Sequence, residues 1–138
     1  MRPKRVVLLV DSDETAISLR RFFIETRGFR VCAASNVEQA LEIISSMVVD
    51  MVAVTLELGK VDGNSVVIRL KELRPDLPMI LTSKSVGMGE RAHAADGFLG
   101  RSCNSNKELI ERIRVMTSRK RGPKKAVVSI SLEMMNAG

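Results

Sequence analysis

Val6–Val10 reads Val-Val-Leu-Leu-Val, with Lys4-Arg5 before it and Asp11 after it. A run this short that is apolar at every position is not a strand with one face in water; it reads as a strand buried on both faces, the signature of a parallel sheet. Parallel strands are joined by crossovers, usually helical, so helices are expected between further runs of the same kind. The strand signal recurs at 29–34, at 48–56, at Met79-Ile80-Leu81-Thr82 and, more briefly, at Gly97-Phe98-Leu99. Asp13 can cap a helix carrying Ala16, Ile17, Leu19, Phe22, Phe23 and Ile24 at helical spacing, which Gly28 can end. Asn36 opens a second stripe over 37–47, with Val37, Ala40, Leu41, Ile43 and Ile44. Asp62-Gly63 marks a turn before a third helix over 64–73 (Val66, Val67, Leu70, Leu73), closed by Pro75 and Pro78. A weaker helix over 85–95 contains Gly87 and Gly89, and a last one over 106–116 turns Leu109, Ile110, Ile113 and Met116 inward. Five strands alternating with five helices, the fourth shortened, predict an α/β protein, a three-layer sandwich around a parallel sheet.

The 138 residues fit one domain, and 45% apolar with 28% charged residues is the balance of a globular chain. No apolar run approaches the roughly 18 residues of a membrane span, and the N-terminal run is too brief for a signal peptide, so a cytoplasmic protein without membrane insertion is expected. Cys32 and Cys103 lie far apart and His93 is the single histidine, which leaves neither a disulfide framework nor a zinc site. Both His93 and Met88 are expected to pack rather than to ligate, and Cys103 to fill core space.

Positive charge is concentrated at the C-terminal end. Residues 117–138 hold Arg119, Lys120, Arg121, Lys124 and Lys125 against Glu133 alone, so four of the six net positive charges lie there. The chain therefore divides into a nearly neutral body, 1–116, and a basic linker with a short apolar tail, 117–138. In that tail Val128, Ile130, Leu132 and Met134 alternate with polar residues, the period of an edge strand. It suits strand addition to a sheet edge or a solvated linker, and offers no helix-turn-helix. With four Phe and no Tyr or Trp, a base-stacking surface for nucleic acid is not expected.

Open parallel sheets hold their sites beyond the carboxyl ends of the strands, here at Asp11, Ser12 and Asp13 after the first strand, Thr55 and Glu57 at the end of the third, Ser83 after the fourth and Arg101 after the fifth. In order, the landmarks are Leu8-Leu9-Val10-Asp11-Ser12-Asp13-Glu14, Gly28-Phe29, Asp50-Met51-Val52-Ala53-Val54-Thr55, Val61-Asp62-Gly63, Leu77-Pro78-Met79-Ile80-Leu81-Thr82-Ser83 and Ala95-Asp96-Gly97-Phe98-Leu99-Gly100-Arg101. Together they resemble the response-regulator receiver domain of two-component signalling, over Arg5 to about Met116. The resemblance implies the flavodoxin-like fold with strand order 2-1-3-4-5. It also implies two acidic residues after the first strand that hold Mg²⁺, an aspartate phosphoacceptor ending the third, a Ser or Thr after the fourth and a lysine after the fifth.

Against that pattern Asp11 and Ser83 match, Ser12 stands at the second acidic position, Thr55 at the phosphoacceptor, Arg101 at the lysine and Ser102 at the proline that follows it. A hydroxyl offers no carboxylate nucleophile and Thr55 has no adjacent base, so aspartyl phosphorylation there is excluded. Mg²⁺ binding is expected to be weak or absent, with Asp11, Asp13 and Glu57 as weak candidate ligands, and Arg101 is expected to pair with Asp11 as a permanent internal cation. Asp50 falls at the far end of its strand and Asp62 reads as a turn residue. The function expected is a phosphorylation-independent pseudo-receiver: no enzyme, but an interaction module for protein partners such as a sensor kinase or an output protein. Two alternatives stand beside it: a receiver still switchable through a non-standard acceptor or an anion held by Arg101, Ser83 and Thr55, and a nucleic-acid-associated protein using its basic tail.

Overall fold

The computed structural model describes residues 4–85, 91–100 and 106–119. In chain order these form β1 (Val6–Val10), α1 (Glu14–Thr26), β2 (Arg30–Ala34), α2 (Val37–Ser46), β3 (Met51–Thr55), β4 (Glu57–Leu58), β5 (Val61–Asp62), α3 (Gly63–Leu73), β6 (Met79–Thr82), β7 (Gly97–Leu99) and α4 (Asn106–Arg119). Five strands make one parallel sheet in the order β2-β1-β3-β6-β7. With β6 and β7 as the fourth and fifth long-range strands, this is the expected flavodoxin-like arrangement. β4 and β5 pair separately as a two-stranded antiparallel hairpin.

The apolar runs are apolar because each strand feeds two cores. β1, β3 and β6 are buried at every position. Leu8, Val10, Val52, Val54 and Leu81 face one side, where Ala40 and Ile44 of α2 and Val66, Val67 and Leu70 of α3 cover them. Val7, Leu9, Met51, Ala53 and Ile80 face the other, against Ile24 of α1 and Leu109, Ile110, Ile113 and Met116 of α4. Each buried Val, Leu, Ile or Met among them stabilises the fold by about 1.5–3 kcal/mol relative to exposure.

Local signals set the helix starts. Asp13 caps α1, accepting from the Thr15 and Ala16 N–H groups, Asn36 caps α2 and Asp62 caps α3. Gly28, just past α1, takes φ 94°, the left-handed turn that ends a helix at least cost to glycine. The third strand is shorter than 48–56. Val48 is 71% exposed, because the chain reaches the sheet only at Asp50, whose N–H donates to Val6 O and whose Oδ2 accepts from Val6 N.

The expected fourth helix is the main departure. Residues 86–90, with Met88, lie outside the described residues, and 91–96 are not α-helical, so the described helices number four. Asn64, 3% exposed, explains the path. Its Oδ1 accepts from His93 N and Ala94 N, and its Nδ2 donates to Arg91 O, so main-chain groups that a helical turn would pair internally bond to a side chain instead. His93, expected to pack, is exposed. α4 runs to Arg119, with the Thr117 hydroxyl buried and donating to Ile113 O. Cys103 and the tail beyond 119 lie outside the described residues, and no helix among those described is long and apolar enough to cross a membrane.

Candidate functional site

Parallel register assembles the site. Val10 lies opposite Val54, and Thr55 opposite Thr82. The ladder continues one residue past the strand ends: Asp11 N donates to Ala34 O (3.0 Å), Leu56 N to Thr82 O (2.7 Å) and Ser83 N to Leu99 O (3.1 Å). These bonds fix Asp11, Thr55 and Ser83 along one edge of the sheet.

Asp11 is 4% exposed. Its Oδ1 accepts from Asp13 N (3.0 Å) and from the Lys84 ammonium (3.1 Å). Asp13 Oδ1 is occupied by the start of α1, and Oδ2 lies 3.6 Å from the same ammonium. The Ala16 N–H, opposed by desolvation and helped by the Lys84 charge, holds the Asp13 carboxyl below the usual carboxylate range. Ser12 is exposed. Thr55 is 3% exposed and lines a small cavity with Asp11, Ile17 and Arg20. Arg20 Nη1 donates to Thr82 Oγ1 (3.2 Å). Burial pulls the Arg20 guanidinium below the ordinary arginine value and the negative charge of Asp11 works against that shift.

Glu57 reaches the site from the hairpin. Its Oε2 accepts from the Ser83 hydroxyl (2.5 Å) and its Oε1 from Lys84 N (2.9 Å). Ser83 is fully buried, and its oxygen in turn accepts from Ser85 N (3.0 Å). The hairpin is set by Gly63, whose N–H donates to Leu56 O (2.8 Å); a Cβ there would lie 2.8 Å from Leu56 Cα.

Of the residues singled out in the sequence, Asp11, Asp13, Thr55, Glu57 and Ser83 come together, Ser12 faces outward, and Arg101 lies outside the described residues. Asp50 is at the opposite end of β3, and Asp62 caps α3. Two cations were missed. Lys84 was legible as the residue following Ser83 on the same strand edge. Arg20 was legible as the polar member of the inward set Ile17, Arg20, Ile24, where a charge on the core face calls for a partner. Among the described residues no three His, Cys, Asp or Glu side chains converge as a metal cluster. What the arrangement offers is a filled polar pocket: two carboxylates on an ammonium, a third on a hydroxyl and an amide, and a guanidinium on a threonine.

The family model described as "Response regulator receiver domain" matches residues 7–114. Regulatory protein VirG of Agrobacterium tumefaciens is 31% identical over 125 residues, an overlap spanning 82% of this chain and 43% of VirG. Transcriptional regulatory protein CpxR of Escherichia coli is 28% identical over 116 residues, 82% of this chain and 49% of CpxR. The chain thus spans about half the length of these curated relatives. A crystal structure of a response regulator receiver domain protein from Clostridium thermocellum superposes with a TM-score of 0.77 at 21% identity, covering 85% of this chain and 97% of that one.

Proposed function

The chain belongs to the response regulator receiver domain family, and on that premise we propose that it is an atypical receiver, a cytoplasmic interaction module that signals without phosphorylation of its own. The observation that carries this reading is Thr55. It ends β3, where the sequence pattern of the family puts the phosphoacceptor, and a hydroxyl cannot form the acyl phosphate that an aspartate forms. At 3% exposure it is also closed to an outside kinase.

Mg²⁺, the ion that the family implies, does not fit the donors present. A hard dication needs carboxylate oxygens turned to one point. Asp11 Oδ1 is on the Lys84 ammonium, Asp13 Oδ1 on the start of α1, and both Glu57 oxygens on Ser83 and Lys84 N. An ammonium 3.1 Å from Asp11 repels a second cation from the same oxygen. No step in this reading passes through a metal.

Recognition of a protein partner, a sensor kinase or an output protein of a phosphorelay, is supported by apolar side chains left in solvent on α1. Leu19 is 60% and Phe22 65% exposed, and Phe23 stands edge-on to Phe22. The test is an amide NMR titration with Mg²⁺ and beryllofluoride, which mimics an acyl phosphate. Silence at Asp11, Thr55 and Ser83 at millimolar Mg²⁺ is the expected result. Saturable shifts there would return the domain to the switchable class.

A further inference from the structure

We propose that the pocket is liganded by its own chain: the Glu57 carboxylate fills an anion seat at the end of β6, and Lys84 fills the cation seat beside Asp11. The loop 83–85 is thereby tied to the β4–β5 hairpin. The inference deepens the non-switching reading above and rests on it.

Two donors from adjacent residues, the Ser83 hydroxyl and the Lys84 main-chain N–H, converge on one carboxylate, one per oxygen, at 2.5 and 2.9 Å. Paired donors at a strand end are how proteins hold oxyanions, and charge-assisted bonds of this kind are stronger than neutral ones. Ser83 is fully buried, so its hydroxyl requires an acceptor within the protein, and Glu57 Oε2 at 2.5 Å is nearer than the other acceptor in reach, Ser85 O at 3.1 Å. Ser85 N donates back to the Ser83 oxygen, so the next amide of the loop depends on how that hydroxyl is turned. The acceptor arrives from another element, since Glu57 sits in a hairpin register opposite Asp62. Being part of the same chain, it is presented to the loop at a high effective concentration that a dilute free anion must overcome.

Lys84 joins the two seats. Its main chain holds Glu57 while its side chain crosses to Asp11 at 3.1 Å and Asp13 at 3.6 Å. Movement of the loop therefore breaks both pairings together. The occupant that the anion seat takes when Glu57 is removed is a small tetrahedral oxyanion, for which inorganic phosphate is the probe.

The test uses the full chain and amide NMR. In the wild type, phosphate at about 10 mM leaves Ser83, Lys84 and Ser85 unshifted. In Glu57→Ala, hydrogen exchange at these amides rises by about tenfold or more, the equivalent of one lost hydrogen bond, and millimolar phosphate binds saturably and restores protection. Glu57→Gln repeats the measurement with side-chain volume kept, should the alanine variant fold poorly. Lys84→Met examines the cation seat: submillimolar Mn²⁺ broadens Asp11 and Asp13 in the variant and not in the wild type. Unchanged exchange in both Glu57 variants, or variants as indifferent to phosphate and Mn²⁺ as the wild type, overturns the proposal and leaves the non-switching reading standing. Saturable wild-type shifts with Mg²⁺ and beryllofluoride overturn the non-switching reading itself.

Discussion

Asp11 is a buried carboxylate whose nearest ammonium is half in water, with side-chain exposures of 6% and 39%. A fully exposed pair is worth about 0–1 kcal/mol and breaking a fully buried one costs about 3–5 kcal/mol. Lys84→Met is therefore expected to destabilise by about 1–2 kcal/mol in urea unfolding. A double-mutant cycle with Asp11→Asn should recover about 1 kcal/mol of coupling between the two residues. Asp13 makes a cleaner test in pH. Its folded pKa is depressed, chiefly by the Ala16 N–H, so the unfolded chain binds the proton first as pH falls. Its stabilisation is complete above the ordinary carboxylate range and is lost as pH drops through the lower folded value. Asp13→Asn keeps a good cap and should flatten that part of the acid limb; an unchanged limb would show that Asp13 does not contribute to it. At this scale the sequence exposed the acids well, because Asp11 and Asp13 sit at a strand-to-helix junction. The partners left weaker signals, Lys84 as the residue after Ser83 and Arg20 as a charge on a core-facing position, because what each one meets is decided only when β6 takes its place beside β3 and α1 packs on the sheet.

Elements were legible wherever local chemistry decides them. The caps at Asp13 and Asn36, and the strands Val6–Val10 and Met79–Thr82, follow directly from residue type and run length, while Asp62, which reads as a turn residue, caps α3 as well. What escaped is tertiary in origin. The β4–β5 hairpin has two residues per strand and no period to read, and the absence of helix over 91–96 is imposed by Asn64 from another element. Asn64→Ala removes three part-buried bonds to that segment. A loss of about 2–3 kcal/mol is expected, with faster hydrogen exchange at His93 and Ala94; exchange no faster than in the wild type would mean that the segment keeps its path without Asn64. Gly63→Ala drives a Cβ into the backbone of Thr55 and Leu56. Since backbone yields less than a side-chain tip, it should cost at least about 1–3 kcal/mol and shift the resonances of Thr55 and Glu57.

At the scale of the whole molecule the strand order β2-β1-β3-β6-β7 is the one that the family resemblance implies, whereas alternation of buried runs with helices points only to a parallel sheet between helical layers. The far end of the sheet is secured by polar ties that no run length reveals. Lys71 Nζ bonds Asp96 (2.8 Å) and Leu77 O (2.9 Å), and Asp96 accepts from Met79 N (2.8 Å). Thermal unfolding reads the state of the opposite end without labels. A site with a dissociation constant of about 0.1 mM would add about 2.7 kcal/mol at 10 mM ligand, and at least a few degrees in Tm for a domain of this size. A change under one degree between EDTA and 10 mM Mg²⁺ is expected for the wild type, and a rise of several degrees would sink the account of the filled pocket.

Thr55 has a last consequence, one of time. An acyl phosphate hydrolyses by itself, so a protein that carries one carries a timer: the message fades at a rate set by chemistry. On the non-switching reading proposed above, the hydroxyl at the end of β3 forms no such anhydride, and a receiver built this way would convey how much of it is present and for how long it survives, at the tempo of synthesis and proteolysis.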